Sequence, residues 1–465
     1  MAEAVMTRTA ALAEWAHGLR FEDLPEDVIV ATRLRILDVI GLIMAGRETQ
    51  LGRAARAAAV ALSPPGPCRI IGCGDRVGVT SAALANGALS QALQYDETHI
   101  ESIVHMSSPI IGAALAIGDW QTVSGRNLIT AIAIGNEIAC RIGCVAPGAF
   151  HKRGLHPTGL FTTFGATYLA GRLLALDPAE MTHAAGAAGS FAAGLLQCWV
   201  DGSETQFLHP GWSAQAGIAA AVLAREGATG PAEVLEGRFG LFASHLQDTA
   251  IPRDFGRVDA GLGTHWESRA SSFKPYPVAH VIHPYIDALL RLAGRHATTA
   301  DDIAWIDCPV PEYIVPLVCE PAAEKIAPSS AFRGRVSLQY TLAEALARGR
   351  LGRDAYGDRA LRDPAILALA ARVRYHVDPG FPGPGRFKGE VSVTLRNGRI
   401  LTEVEAYNRG SLQNPMPVED LRAKFDDNAG AILDRAGRDR LAEAINRLDQ
   451  APDVRTVIDL AVPAR

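Results

Sequence analysis

Residues 25–46, PEDVIVATRLRILDVIGLIMAG, carry apolar side chains at three- and four-residue intervals, open near a proline and stop at a glycine. That spacing puts the apolar groups on one side of a 3.6-residue helix, with Pro25 at its start and Gly46 at its end. The pattern recurs outward from there. Helices are predicted over 79–94, 109–118, 125–143, 159–174, 179–198, 212–226 and 231–236, so residues 1–260 read as helix after helix. The runs are dense in alanine and glycine, which lets helix axes approach closely. The expectation is a tightly packed bundle whose middle helices are buried all round. SPPGP, VAPGAFHKRG and GATGPAE punctuate the bundle.

From about residue 265 the pattern changes. DIAWIDCPVPEYIV (302–315) and the stretch 368–407 alternate in the manner of strands, with Asn397-Gly398 as a hairpin signal between two alternating runs. Helical runs HPYIDALLRLAGR and VSLQYTLAEALARG lie among them, which makes an α+β unit. The tail 417–450 is helical again. The predicted organisation is mainly α: an all-helical domain over 1–264, an α+β lid domain over 265–415, and C-terminal helices over 416–465 that return to the first domain.

Composition bounds the function. The chain has 465 residues, 48% apolar and 20% charged, with a formal net charge of −5. That is the profile of a globular protein of two or three domains. No basic run or basic-aromatic patch points to nucleic acid. The longest apolar stretches fall well short of the ~20 residues a bilayer span needs. The N-terminal segment carries charges inside its apolar pattern and reads as no signal peptide, so a cytoplasmic location is expected. Seven cysteines (68, 73, 140, 144, 198, 308 and 319) form no paired zinc set and are expected to be reduced, buried thiols.

Four stretches concentrate chemistry. In QALQYDETHIESIVHMSSP (91–109), Asp96, Glu97, Thr98, His99, Glu101 and His105 fall between two apolar helices. This is either a solvated loop or an acid/base site; a metal site would need His99, His105 and an acid to converge, and no HExxH spacing supports it. FHKRGLHPTGLFTTFG (150–165) places His151, Lys152, Arg153 and His156 before a helix opening at Pro157, whose free N–H groups suit a carboxylate. DGSETQFLHPGWSAQAG (201–217) repeats the plan at His209, which fits a capping residue or part of an anion pocket. SRASSFKPYPVAHVIHPYID (268–287) sets Lys274 among Phe273, Pro275, Tyr276 and Pro277, ahead of His280 and His283. A lysine desolvated there loses pKa toward the range of a general base, although a snorkelling lysine fits the pattern too.

Taken in order, RILDVIGLIMAG, ALANGALSQALQYDETH with VHMSSP, GNEIACRIG, RGLHPTGLF, LHPGWSAQAG, FKPYPVAHVIHPYID and GRVSLQYTLAEAL resemble the MmgE/PrpD family over residues 8–440. Members of that family dehydrate 2-methylcitrate, decarboxylate cis-aconitate or epimerise iminodisuccinate. The resemblance implies a large helical domain with a smaller α+β lid, a homodimer, an active site between the domains, and no metal or organic cofactor. It places the family's acidic-Thr-His motif on Asp96, Glu97, Thr98, His99 and His105. Its HPTG histidine falls on His156, its KPYP lysine on Lys274 and its lid tyrosine on Tyr313.

Two departures stand out. Gln94 occupies a place where relatives commonly carry aspartate, and Gln206 one where they often carry lysine. The chemistry that the resemblance implies, proton transfer at a carbon beside a carboxylate, makes His105 and Lys274 the expected proton-transfer pair, with His156 as a second acid/base group or carboxylate ligand. Gln94, Asp96, Thr98, His99, His151, Gln206, His209 and Tyr313 are expected to bind substrate. The leading expectation is a lyase that dehydrates a 2-methylcitrate-like hydroxy acid. The alternatives are an iminodisuccinate-type epimerase, a cis-aconitate-type decarboxylase and a non-catalytic carboxylate-binding relative.

Overall fold

The computed structural model describes residues 6–463 and is mainly α. The helices of eleven or more residues are α1 (Arg8–Gly18), α2 (Glu26–Gly46), α3 (Gln50–Ala61), α4 (Val79–Gln91), α5 (Ser107–Trp120), α6 (Gly125–Gly143), α7 (Pro157–Leu173), α8 (Pro178–Phe191) and α9 (His209–Arg225). In the second half come α10 (His283–His296), α11 (Leu338–Arg348), α12 (Val418–Ala429) and α13 (Arg435–Asn446). A short strand β1 (Thr98–His99) pairs antiparallel with β2 (Ser271–Ser272). One sheet is built from β3 (Ile303–Val310), β4 (Val373–Val377), β5 (Gly389–Leu395) and β6 (Ile400–Glu405), in the order β4-β3-β5-β6. Strands β3 and β4 are parallel and the other pairs antiparallel. Asn397-Gly398 closes the β5–β6 hairpin, with Gly398 at φ 84°.

Two apolar cores organise these elements. The larger runs from Leu12 to Trp266 and takes in Phe425, Leu441, Val454 and Ile458 of the C-terminal helices. The smaller runs from Tyr276 to Leu401 around α10, α11 and the sheet. Among the described residues no helix is long and apolar enough to cross a membrane, and all seven cysteines are free and buried.

Small residues set the helix spacing in the larger core. A Cβ on Gly211 of α9 would lie 2.2 Å from the Leu84 carbonyl oxygen of α4, and one on Gly165 of α7 would lie 2.4 Å from the Gly135 oxygen of α6. Gly211→Ala should therefore force the α4–α9 backbones apart and cost about 1–3 kcal/mol, read as a lowered urea midpoint. An unchanged midpoint would show that the contact relaxes freely.

Two helical expectations need correction. Residues 231–236 form turns, because Pro231 follows Gly230 and the Leu241 N–H folds back to the Val234 carbonyl. The helix expected over 179–198 ends at Phe191; Gly194 takes φ 148° and Leu195 bridges to Leu155, so the chain turns back toward the start of α7.

Candidate active site

A cleft of about 230 Å³ lies between the two cores. The helical side contributes Gln94, Thr98, His105, His151, Lys152, His156 and Gln206, and the other side Lys274, His280 and Tyr313. Leu196, Trp199, Val281, Leu317, Val318 and Phe387 form its apolar wall. Among the described residues no aspartate or glutamate lines it.

The loop after α4 carries most of the polar groups. Pairing of Thr98 with Ser272 and His99 with Ser271 ties this loop to the segment holding Lys274. Adjacent strand residues face opposite ways, so Thr98 meets the cleft and His99 does not. Glu97 is a clamp: Arg35 Nε lies 2.9 Å from its Oε2, and Ser107 and Ser271 donate to the same carboxylate.

Asp96 lies fully buried beneath the cleft and links its two sides. Its Oδ2 accepts from Gln91 Nε2 at 3.0 Å and from Ser108 Oγ at 2.9 Å. The same oxygen is 3.8 Å from His105 Nδ1, and Oδ1 is 3.9 Å from Lys274 Nζ. Lys274 is 1% exposed and donates to the Gln94 carbonyl at 3.2 Å. Burial lowers its pKa to about 8, against the opposing pull of Asp96. Burial likewise lowers His105 to about 4; Asp96 opposes the shift and Lys274 adds to it.

The tautomer of His105 follows from its partner. Nδ1 sits 2.8 Å from the Glu97 carbonyl oxygen. A carbonyl only accepts, so Nδ1 carries the proton and Nε2 keeps its lone pair. The ring is neutral near pH 7 and able to act as a base.

His156 caps α7, with Pro157 in the first helical position. Its Nδ1 is 2.9 Å from His209 Nδ1, so one ring donates to the other and the pair cannot both be protonated. Burial, reinforced by His209, holds His156 well below the ordinary range, and burial alone brings His209 to about 4. His280 Nε2 is 2.9 Å from Asn408 Nδ2 and 3.3 Å from Ser272 Oγ, which leaves the proton on Nδ1, a buried atom with no partner. Gln206 accepts from the Trp199 indole N–H. Gln94 adopts φ 54°, and its buried Oε1 has no partner among the described residues. Burial raises the Tyr313 hydroxyl, which remains a neutral donor.

Two family models cover the chain in succession. The MmgE/PrpD N-terminal domain matches residues 10–253 and the C-terminal domain residues 276–450. The chain belongs to the MmgE/PrpD family. It is similar to cis-aconitate decarboxylase of Aspergillus terreus, at 26% identity over 97% of this chain and 95% of that one. The mouse cis-aconitate decarboxylase is 25% identical over 96% of this chain and 91% of its own. The 2-methylcitrate dehydratase of Cupriavidus necator is 26% identical over 73% of this chain and 72% of its own.

Of the residues expected at the site from sequence, Gln94, Thr98, His105, His151, His156, Gln206, Lys274 and Tyr313 converge on the cleft. Asp96 lies behind it, His209 stands behind His156, and His99 turns toward Glu267. His280 and the apolar wall were not assigned to the site from sequence. The signal for His280 was present, since it follows the Lys274 motif by six residues.

Proposed function

We propose that this MmgE/PrpD protein is a lyase that removes water from a small hydroxy-polycarboxylate by acid/base chemistry. The observation carrying this reading is the fixed tautomer of His105, whose Nε2 lone pair is free while its Nδ1–H is held by the Glu97 carbonyl. Dehydration needs such a base to take the proton from a carbon beside a carboxylate. Lys274, still protonated at neutral pH, supplies the acid that protonates the departing hydroxyl, a task for which Gln94 offers no proton. Asp96 favours the charged form of both groups, so it supports the lysine ammonium and the imidazolium that forms during proton transfer. His280 Nδ1–H, Thr98, Tyr313 and Lys152 hold the substrate carboxylates.

Decarboxylation is the second reading. The cis-aconitate decarboxylase relatives favour it, as does the apolar wall, since a carboxylate pressed against Leu196, Val281 and Phe387 loses hydration and leaves more readily as carbon dioxide. Lys274 would then deliver a proton to carbon.

Incubation with di- and tricarboxylates in deuterated water, read by mass spectrometry, separates the readings. The expected result is loss of water, with deuterium entering recovered hydroxy acid as the reaction reverses. Loss of carbon dioxide with one solvent deuteron in the product would replace dehydration by decarboxylation. Deuterium uptake with no other mass change would indicate epimerisation, and no exchange into any substrate would remove the enzymatic reading.

A further inference from the structure

On the far side of β1 from the cleft, three buried side chains from separate elements face one another. His99 belongs to β1, Cys144 follows the last residue of α6, and Glu267 precedes β2. They are 0%, 1% and 7% exposed, and one ligand atom from each lies within 4.8 Å of the others. Nitrogen, sulfur and carboxylate oxygen form a donor set suited to a borderline divalent ion such as zinc.

Two features indicate an ion there rather than packing alone. His99 Nδ1 lies 2.7 Å from Ser102 Oγ and accepts the Ser102 backbone N–H at 3.4 Å, while Nε2, wholly buried, has no hydrogen-bond partner and stands 4.0 Å from Glu267 Oε2. In the metal-free ring the proton therefore sits on Nε2, a buried donor left unpaired; on metal binding it moves to Nδ1, where Ser102 Oγ accepts it as the outer partner of a metal-ligating histidine. The local charges also leave room for a divalent cation. Arg257 engages Glu101 at 3.0 Å and Glu267 Oε1 at 2.8 Å, leaving Oε2 turned to His99. One guanidinium faces two carboxylates and, once the thiol ionises, a thiolate; a doubly charged ion makes that group neutral.

We propose that His99, Cys144 and Glu267 form a site for a divalent transition-metal ion of the zinc type, which braces the 98–105 loop from behind. Binding expels one proton, from the Cys144 thiol, as the metal–sulfur bond forms. Burial holds that thiol protonated in the metal-free protein, so the ion must displace the proton. His265, whose side chain is 67% exposed and whose Nε2 is 3.5 Å from Glu267 Oε1, stands at the outer edge, where it can swing in as a fourth ligand. The ion would act on the loop alone, because His105 faces the cleft and His99 does not.

Cobalt(II) titration of the chelator-treated full-length protein tests the site. One equivalent should bind, with a thiolate-to-cobalt charge-transfer band. The band should vanish in Cys144→Ser and persist in Cys140→Ser, one helical turn earlier. Glu267→Gln, isosteric and able to keep its contact with Arg257, should weaken binding at least about 10-fold. Absence of the band in the unaltered protein overturns the proposal whatever the variants do. So does a band that survives in Cys144→Ser, or an unchanged affinity in Glu267→Gln.

Discussion

Lys274→Ala is expected to lower kcat about 10³- to 10⁴-fold with little change in KM, the range for losing a positioned acid together with the charge it holds in the site. The ammonium is 1% exposed and 3.9 Å from Asp96, so the loss removes both the proton donor and the cation facing that carboxylate. Lys274→Arg separates the two effects. A guanidinium keeps the charge but holds its proton across the working pH range, and a comparable loss in this variant assigns the lysine to proton transfer. Retention of a tenth or more of turnover in Lys274→Ala would remove the lysine from the chemistry. The pH profile carries the same assignment. Lys274 must be protonated to act as acid, and its pKa of about 8 makes activity fall as pH rises through that value. His105 must be neutral to act as base, and its pKa of about 4 makes activity fall only as pH drops through that value. The profile of kcat/KM should therefore be flat between about 4 and 8, and the alkaline limb should disappear in Lys274→Arg.

The helical half was legible because its period was unbroken and its boundaries carried proline and glycine. Helix 125–143 was placed to the residue, and the Asn397-Gly398 hairpin stands where its dipeptide put it. The failures have physical causes. Residues 231–236 are apolar at helical intervals, but Gly230-Pro231 and a backbone turn to Leu241 take their hydrogen bonds elsewhere. At the site, sequence clustering showed where titratable groups gather but not which way they face. His99 and His105 are six residues apart and diverge, because the facing of β1 is fixed by pairing with Ser271 and Ser272, far along the chain, as well as by the His99–Val104 bridge. The distant pairing has no local signature, so the side on which Thr98 and His99 fall was invisible. The roles of Asp96 and His209 were hidden for a related reason. Each reaches the cleft only through another side chain, and only the fold says which one.

The second large effect concerns a charge pair beneath the site. Lys424 of α12 lies 2.8 Å from Asp38 of α2, and both side chains are 3% exposed or less. Lys424→Met should cost about 3–5 kcal/mol, because it leaves a buried carboxylate without its cation. The cost should depend on pH with a definite sign. Burial raises the folded-state pKa of Asp38 to about 6, above its ordinary 3.8, although Lys424 opposes the shift. A group with a raised folded-state pKa binds its proton more tightly in the folded chain, so its penalty is full above that pKa and shrinks as pH falls through it. The Lys424→Met defect, measured as a urea midpoint, should therefore be larger at pH 8 than at pH 5. Asp38→Leu combined with Lys424→Met should recover most of the loss, since a buried ion pair replaced by apolar groups is often neutral. A defect below about 1 kcal/mol at pH 8 would mean that water reaches Asp38 and that the pair contributes as a surface pair does. The same lysine donates to the Tyr95 carbonyl at 2.8 Å and sits 4.0 Å over the Tyr95 ring, while the Tyr95 hydroxyl donates to the Pro275 carbonyl at 2.9 Å. Tyr95 lies between Gln94 and Asp96, and Pro275 follows Lys274. Removing the ammonium thus frees the Tyr95 peptide, which adjoins Asp96 and is tied through the Tyr95 hydroxyl to the residue after Lys274. Lys424→Met should lower kcat even at temperatures where the variant is fully folded, and the double variant, which restores stability without restoring that hydrogen bond, should keep the kinetic defect.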